Sequence, residues 1–271
     1  IPNSVTSIGD WAFHDCSSLE NVTIGKGITT ISLCAFRDCS ALKSITIPDS
    51  VTSIGNWAFG GCSSLGNATI GHSVKAIGTA AFRDCRALKS IAIPDSVTSI
   101  ENGVFYSCSS LENATIGHNV KAIGNAAFRE CSALKSITIP DSVLRIGNGV
   151  FRGCSSLENA TIGHSVKAIE LNAFRDCRTM KSVSIGKKVT SIDEAAFEGC
   201  DSLVRFEVAE DNANYSSQDG VLLNKEKTEI IAFPKNKKGD YTIPESITAI
   251  RTVYLSNLNN SWNLIYEYAL Q

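Results

Sequence analysis

The chain has 271 residues, 43% hydrophobic and 19% charged, with a formal net charge of -2, the profile of an ordinary folded protein. No surplus of positive charge is present to pair with a phosphate backbone, so nucleic acid is not an expected partner. No stretch approaches the ~20 apolar residues of a membrane-crossing helix, so direct membrane insertion is not expected either.

Taken from its first residue, the chain opens on IPNSVTSIG, and it returns to that phrase again and again. Phe13, Phe36, Phe59, Phe82, Phe105, Phe128, Phe151, Phe174 and Phe197 follow at intervals of 23, each with a cysteine three places later, Cys16 through Cys200. An unbroken period of this length is the signature of a solenoid, whose coils bury apolar side chains only against the coils on either side. Because the repeat is already running at residue 1 with no polar first unit, the chain reads as a fragment of something longer.

Within a unit, Leu42-Lys43-Ser44-Ile45-Thr46-Ile47 alternates and Pro48 closes it, which predicts a strand with Leu42, Ile45 and Ile47 inward and Ser44 and Thr46 outward. Asp49 to Gly55 turns the chain and lays Val51 and Ile54 on the opposite wall. Asn56 to Cys62 closes the coil, and its Trp, Ala, Phe and Cys suit one helical or 3₁₀ turn. A second period of 46 overlies the first: Pro2, Pro48, Pro94 and Pro140 alternate with IGKGI, IGHSV or IGHNV. Ile45, Ile91 and Ile137 likewise alternate with Val22, Ala68, Ala114 and Ala160, large against small.

Nine of the ten cysteines occupy one slot of the coil. Coils about 4.8 Å apart hold parallel Cβ vectors beyond the 3.5–4.5 Å of a disulfide, and an odd ladder cannot pair completely. Free, buried thiols acting as small apolar plugs are expected. Cys34 stands where Trp11 and Trp57 stand in their own units, and a more exposed, more reactive thiol is expected there.

The stretches IPDSVTSIGNWAFGGCSSL and IPDSVTSIENGVFYSCSSL resemble the BspA-type leucine-rich repeat, a 23-residue class found in bacterial surface proteins and expanded in some parasitic protists. The likeness covers residues 1–205 in nine copies. It implies an α/β repeat solenoid, a right-handed leucine-rich-repeat coil with LxxIxI strands in a parallel β-sheet on one wall and short strands or 3₁₀ turns on the other. It also implies a non-enzymatic role outside the cell, at the cell surface, in adhesion or protein binding. The position after the strand that usually holds asparagine is Ser50, Ser73, Ser96, Asn119, Ser142 and Ser165 here, so no continuous asparagine ladder is expected.

The period fails after Val208. Residues 206–240 read as an irregular repeat with an inserted β-hairpin, DGVLL to IIAFP, an insertion similar to one in many BspA-type proteins. The frame resumes at Ile243-Pro244, and residues 241–271 read as a degenerate terminal repeat or cap, with Leu255 in the phenylalanine slot, Leu258 in the cysteine slot and Ser261 in the leucine slot.

Candidate chemistry is thin. His72, His118 and His164 recur every second coil, about 10 Å apart, whereas two nitrogens sharing one zinc ion lie within roughly 3–4 Å; turn histidines are expected, and no metal or cofactor. His14-Asp15-Cys16 places nucleophilic residue types together, but Cys16 belongs to the buried ladder. GKGIT at Gly25 precedes no helix. Glu20, Lys43, Lys89, Glu112, Lys135, Glu158 and Lys181 follow the strand leucine and set opposite signs across neighbouring coils, and Arg37, Arg83, Arg129, Arg152 and Arg175 with their acidic neighbours read as a solvated outer ridge.

What remains is the outward strand face: Asn21, Thr23, Ser44, Thr46, Asn67, Thr69, Ser90, Asn113, Thr115, Ser136, Thr138, Asn159, Thr161, Ser182 and Ser184. These small, uncharged hydrogen-bonding groups suit an extended polymer or a partner's loop; with the role outside the cell that the resemblance implies, the expected partner is an extracellular protein or matrix component, or a polysaccharide. The NVT and NAT triplets at Asn21, Asn67, Asn113 and Asn159 read as accidents of Asn/Thr alternation. Two functions follow: a recognition module using this face, the hairpin or both, and a rigid spacer roughly 50 Å long. No motif assembles a nucleophile, base and orienting group, so an enzyme is not expected.

Overall fold

The structure, a computed structural model, describes residues 1–239 and 241–251; the expectations for Leu255, Leu258 and Ser261 lie outside the described residues. Each 23-residue unit makes one coil with three sides. The front side carries the strands Ser44–Thr46, Asn67–Thr69, Ser90–Ala92 and Asn113–Thr115, then Ser136–Ile139, Asn159–Ile162, Ser182–Ile185 and Arg205–Val208. They form two four-stranded sheets that meet where Asn113–Thr115 lies beside Ser136–Ile139. Every pairing is parallel and shifts by one repeat, as in Ser44↔Asn67, Ile45↔Ala68 and Thr46↔Thr69, so large meets small across the pairs, as the 46-residue period predicts.

The second side is an eight-stranded parallel sheet of two-residue strands, running from Thr30–Ile31 to Ser191–Ile192. Ile31, Ile54, Ile77 and Ile100 point inward from it and are buried.

On the third side the structure corrects the α/β expectation, because no described residue is helical and the 3₁₀ turns are absent. Backbone hydrogen bonding explains why. The N–H groups of Trp57, Phe59 and Gly61 donate to Thr79, Ala81 and Arg83 of the next coil at 2.8–2.9 Å, whereas those of Ala58, Gly60 and Cys62 reach back three residues to Gly55, Trp57 and Phe59 at 3.0–3.3 Å. A helix would turn these N–H groups back along their own chain and leave the coils unjoined along this side. The compromise is a chain of overlapping turns with left-handed residues at its bends. Trp57 (φ 57°) supplies one and Gly61 (φ 76°) the next; where other coils lack glycine in the second place, Asp15, Asp38, Asp84 and Asp176 take it in four coils, aspartate being a residue that tolerates this region, and Ser107 and Glu130 in two more.

The core is a set of ladders. Phe13 through Phe197 stack nearly parallel, with centroids 5.0–5.7 Å apart and interplanar angles between 1° and 21°, and Phe206 ends the stack edge-on at 74°. The thiols are free. Eight of them, Cys39 through Cys200, each donate to the phenylalanine carbonyl of the preceding coil, from Cys39 to Phe13 at 3.1 Å through to Cys200 to Phe174 at 3.2 Å. Cys34 departs from expectation: it is only 2% exposed, because the cysteine is too short to reach outward where Trp11 does. The more open thiol is Cys16, half-buried in the first coil. At the corner after the front strand the coils nearly touch; a Cβ on Gly71 would lie 2.7 Å from the Pro48 carbonyl oxygen.

Beyond Val208 the chain leaves the coil as a three-stranded antiparallel meander, Tyr215–Gln218, Val221–Asn224 and Glu229–Ala232. Its first turn is Asp219-Gly220, with φ 50° and 80°, the two left-handed residues a tight hairpin requires. Glu229–Ala232 then pairs in parallel with Ala249–Ile250, back in the coil frame. Asn212 fastens this meander to the last regular coil. It is fully buried; its Nδ2 donates to the carbonyls of Gly186 and Val189 at 2.9 and 3.2 Å, and its Oδ1 accepts the N–H groups of Asn214 and Tyr215, each at 2.8 Å.

Candidate recognition surface

The strand period of two sends alternate front residues into solvent, and the structure brings all fifteen predicted positions onto one strip. Asn21, Thr23, Ser44, Thr46, Asn67, Thr69, Ser90, Asn113, Thr115, Ser136, Thr138, Asn159 and Thr161 are exposed, and Ser182 and Ser184 half-buried. Parallel registry alternates asparagine with serine in successive coils: Asn67 faces Ser44 and Ser90, and Asn159 faces Ser136 and Ser182. Two side-chain bonds use the strip, Ser182 Oγ to Asn159 Oδ1 at 2.9 Å and Ser184 Oγ to Glu207 Oε2 at 3.1 Å. Among the described residues, the other strip side chains make no hydrogen bond within the protein, so their donors and acceptors face outward.

The strip is bordered by charge. Glu20–Lys43, Glu112–Lys135 and Glu158–Lys181 pair across neighbouring coils at 2.6 Å, and the ammonium groups of Lys43 and Lys135 draw the carboxyls of Glu20 and Glu112 below the usual range by hydrogen bonding and charge. Exposed pairs of this kind hold register more than they stabilise. At the far end Arg205 Nε donates to Glu207 Oε1 at 2.6 Å and closes the uncharged strip.

The other sequence candidates fall apart. His72, His118 and His164 are exposed turn residues whose backbone N–H groups donate to Asp49, Asp95 and Asp141 of the preceding coils at 2.6–2.7 Å. Among the described residues, no three His, Cys, Asp or Glu side chains converge as metal ligands. His14 packs edge-on against Trp11, and its Nδ1 lies 3.2 Å from the Arg37 carbonyl oxygen, so it is engaged with the next coil and not with Cys16. Burial drives the ladder thiols from Cys85 to Cys200 away from ionisation, and Cys154 and Cys200 are each pushed up to about 12. Neutral thiols in this setting are poor nucleophiles.

One arrangement escaped the sequence reading. On the third side, Arg37 lies between the rings of Trp11 and Trp57 at 5.8 and 4.7 Å, Arg83 between Trp57 and Tyr106 at 5.2 and 4.3 Å, and Arg129 over Tyr106 at 5.4 Å. Gly60 makes room for the ring of Trp57, since a Cβ there would meet Cε3 at 2.7 Å. Arg37, Arg83 and Arg129 of the expected solvated ridge therefore form a cation–π ladder along six coils. Its signal in the sequence is Arg37, Arg83 and Arg129 at intervals of 46, out of phase with Trp11, Trp57 and Tyr106.

Among solved structures, the chain is similar to a leucine-rich repeat protein of Bacteroides ovatus, at 26% identity and a TM-score of 0.57 over 94% of this chain and 72% of that one. It is also similar to a protein of Faecalibacterium prausnitzii described as a leucine rich cell surface protein, at 29% identity and a TM-score of 0.58 over 84% of this chain and 57% of that one. No curated protein matches. The model of the BspA type leucine rich repeat region matches residues 1–112 and 98–219, most of the chain and every regular coil in it. With the parallel coils, the 23-residue registry and this match in agreement, the chain belongs to the BspA-type leucine-rich repeat family.

Proposed function

We propose that this chain is a non-enzymatic recognition module displayed outside the cell, binding a host or matrix protein through the front strip, the meander beyond Val208, or both. One observation carries the reading: a straight strip of exposed Asn, Thr and Ser groups, nearly all unpaired within the protein, held on a scaffold whose spacing is set by the core. Such a surface loses little conformational freedom on binding. The family and the description of the F. prausnitzii neighbour as a cell surface protein support display at a surface. About nine strands at ~4.8 Å and ~13 Å of width offer on the order of 500 Å², below the ~800 Å² per partner of a standard interface, so the module works through weak contacts multiplied over copies.

A second reading, a rigid spacer that holds other domains away from the cell, is favoured by the unbroken phenylalanine stack. Binding of the immobilised chain to a panel of matrix and plasma proteins separates the two. Saturable binding abolished by Asn67→Arg, Asn113→Arg and Asn159→Arg together places recognition on the strip. Loss on Lys225→Ala with Glu226→Ala, at the meander tip, places it there. A folded chain that binds no member of the panel supports the spacer.

A further inference from the structure

The aromatic–arginine ladder lies on the third side of the coil, away from the front strip, and its reading does not depend on that strip. Arg37, Arg83 and Arg129 are each about a third exposed, at 34%, 38% and 34%. Each has an acidic neighbour at its Nε: Asp38 at 3.2 Å, Asp84 at 3.3 Å and Glu130 at 3.3 Å. Asp84 also meets Arg86 at 3.4 Å, and Glu130 accepts from Tyr106 Oη at 3.3 Å and Ser107 Oγ at 3.1 Å. Even so, the guanidinium groups of Arg37 and Arg129 donate no hydrogen bond among the described residues, and Arg83 makes one, from Nε to Asp84. The Nη1/Nη2 edge, which forms two parallel bonds to a carboxylate, is therefore unfilled in all three. Stacking between two rings holds the forks of Arg37 and Arg83 in place, and stacking on Tyr106 holds that of Arg129, so binding through them costs little ordering.

Spacing selects the ligand. The three forks sit two coils apart; hydrogen-bonded coils rise by about 4.8 Å and the rings of the adjoining phenylalanine stack lie 5.2–5.7 Å apart, which separates successive forks by roughly 10 Å, with an aromatic edge in each intervening coil. An extended peptide repeats same-face side chains at about 6.7 Å, out of step with that interval. A linear polysaccharide has sugars about one coil rise long, so a uronic acid at every second sugar presents carboxylates in step with Arg37, Arg83 and Arg129 and a neutral sugar opposite Trp57 and Tyr106. We infer that the third side is a binding site for a linear acidic polysaccharide with alternating uronate and neutral sugars, each carboxylate taken in bidentate fashion by one arginine.

The test uses a hyaluronan decasaccharide titrated into the whole chain, read by calorimetry and by tryptophan fluorescence. Saturable binding is expected, weakened several-fold between 50 and 200 mM salt as the charge contacts are screened. Arg83→Lys, which keeps the charge and loses the fork, is expected to weaken it about fivefold, and Arg37→Gln, Arg83→Gln and Arg129→Gln together to abolish it, whereas Asn67→Ala, Asn113→Ala and Asn159→Ala on the front strip leave it unchanged. The assignment is overturned by any of four results: no binding to the folded chain at 50 mM salt, equal binding to the carboxyl-methylated decasaccharide, equal or tighter binding to an oligoglutamate of the same charge, or full affinity retained by Arg83→Lys.

Discussion

Asn212 gives the most direct test of how the irregular end is held. Replacing it with alanine removes four hydrogen bonds at once: the Val189 carbonyl and the N–H groups of Asn214 and Tyr215 lose the partner Asn212 gives them, and the Gly186 carbonyl keeps the Val189 N–H at 3.4 Å. At about 1 kcal/mol net for each bond, Asn212→Ala costs about 4 kcal/mol, close to a thousandfold in a local equilibrium. Aspartate is the sharper variant, because it keeps the two bonds accepted by Oδ1 yet turns an oxygen toward two carbonyl oxygens. The loss belongs to the meander and not to the distant coils, which touch only their neighbours. Hydrogen exchange reads it directly: amides of Val221–Asn224 are expected to lose about a thousandfold in protection in Asn212→Ala, while those of Ile100 and Ile123 hold theirs. A change under tenfold at the meander, or an equal loss in the middle coils, would refute the reasoning.

The phenylalanine stack makes position in the array measurable. Phe105 is fully buried between two rings, so Phe105→Ala is expected to cost about 4 kcal/mol in urea unfolding, whereas Phe13, partly buried with one described ring neighbour, costs about half of that; equal costs count against the stack. Gly71→Ala forces a Cβ against the Pro48 carbonyl and is expected to destabilise by about 2 kcal/mol, whereas Gly9→Ala, with nothing within 4 Å, shifts the urea midpoint little; similar shifts in both would contradict the close coil approach. Unfolded thiols ionise near pH ~8.5 while Cys154 stays protonated in the fold until about 12. The stability from its burial is therefore whole below the unfolded value and is lost as pH rises above it, by about 1.4 kcal/mol per pH unit. Cys154→Ala is expected to flatten the alkaline fall in urea midpoint by that one proton, and an unchanged slope would sink the account. In thiol labelling at neutral pH, Cys16 is expected to react first, and Cys34 with the buried ladder.

Much of this architecture was legible because each slot of the repeat meets the same surroundings in every coil. The 23-residue recurrence of Phe13 and Cys16 set the coil, alternation in Leu42 to Ile47 set the front strand, and the outward set from Asn21 to Ser184 followed from that alternation alone. The third side misled because Trp57, Ala58 and Phe59 have the composition of a short helix, while their backbone groups are claimed by the next coil, which no local pattern reveals. Cys34 misled because sharing a slot with tryptophan says nothing of how far a smaller side chain reaches. The arginine sandwich was hidden for a related reason: Arg37 and its two rings are distant in sequence and meet only once coils stack. Asn212 carried no signal, since its four partners are set by where the meander leaves the coil.

The three backbone ladders also determine how the molecule carries load. All of them run from coil to coil, so tension along the long axis pulls their hydrogen bonds lengthwise and opens them in series rather than shearing them together. Each coil that peels away releases 23 residues, about 80 Å of slack at ~3.5 Å per residue, while the coils beyond it stay closed. A tether built this way yields in small steps and lengthens many times over before its last coil opens, so it absorbs a sudden pull as extension.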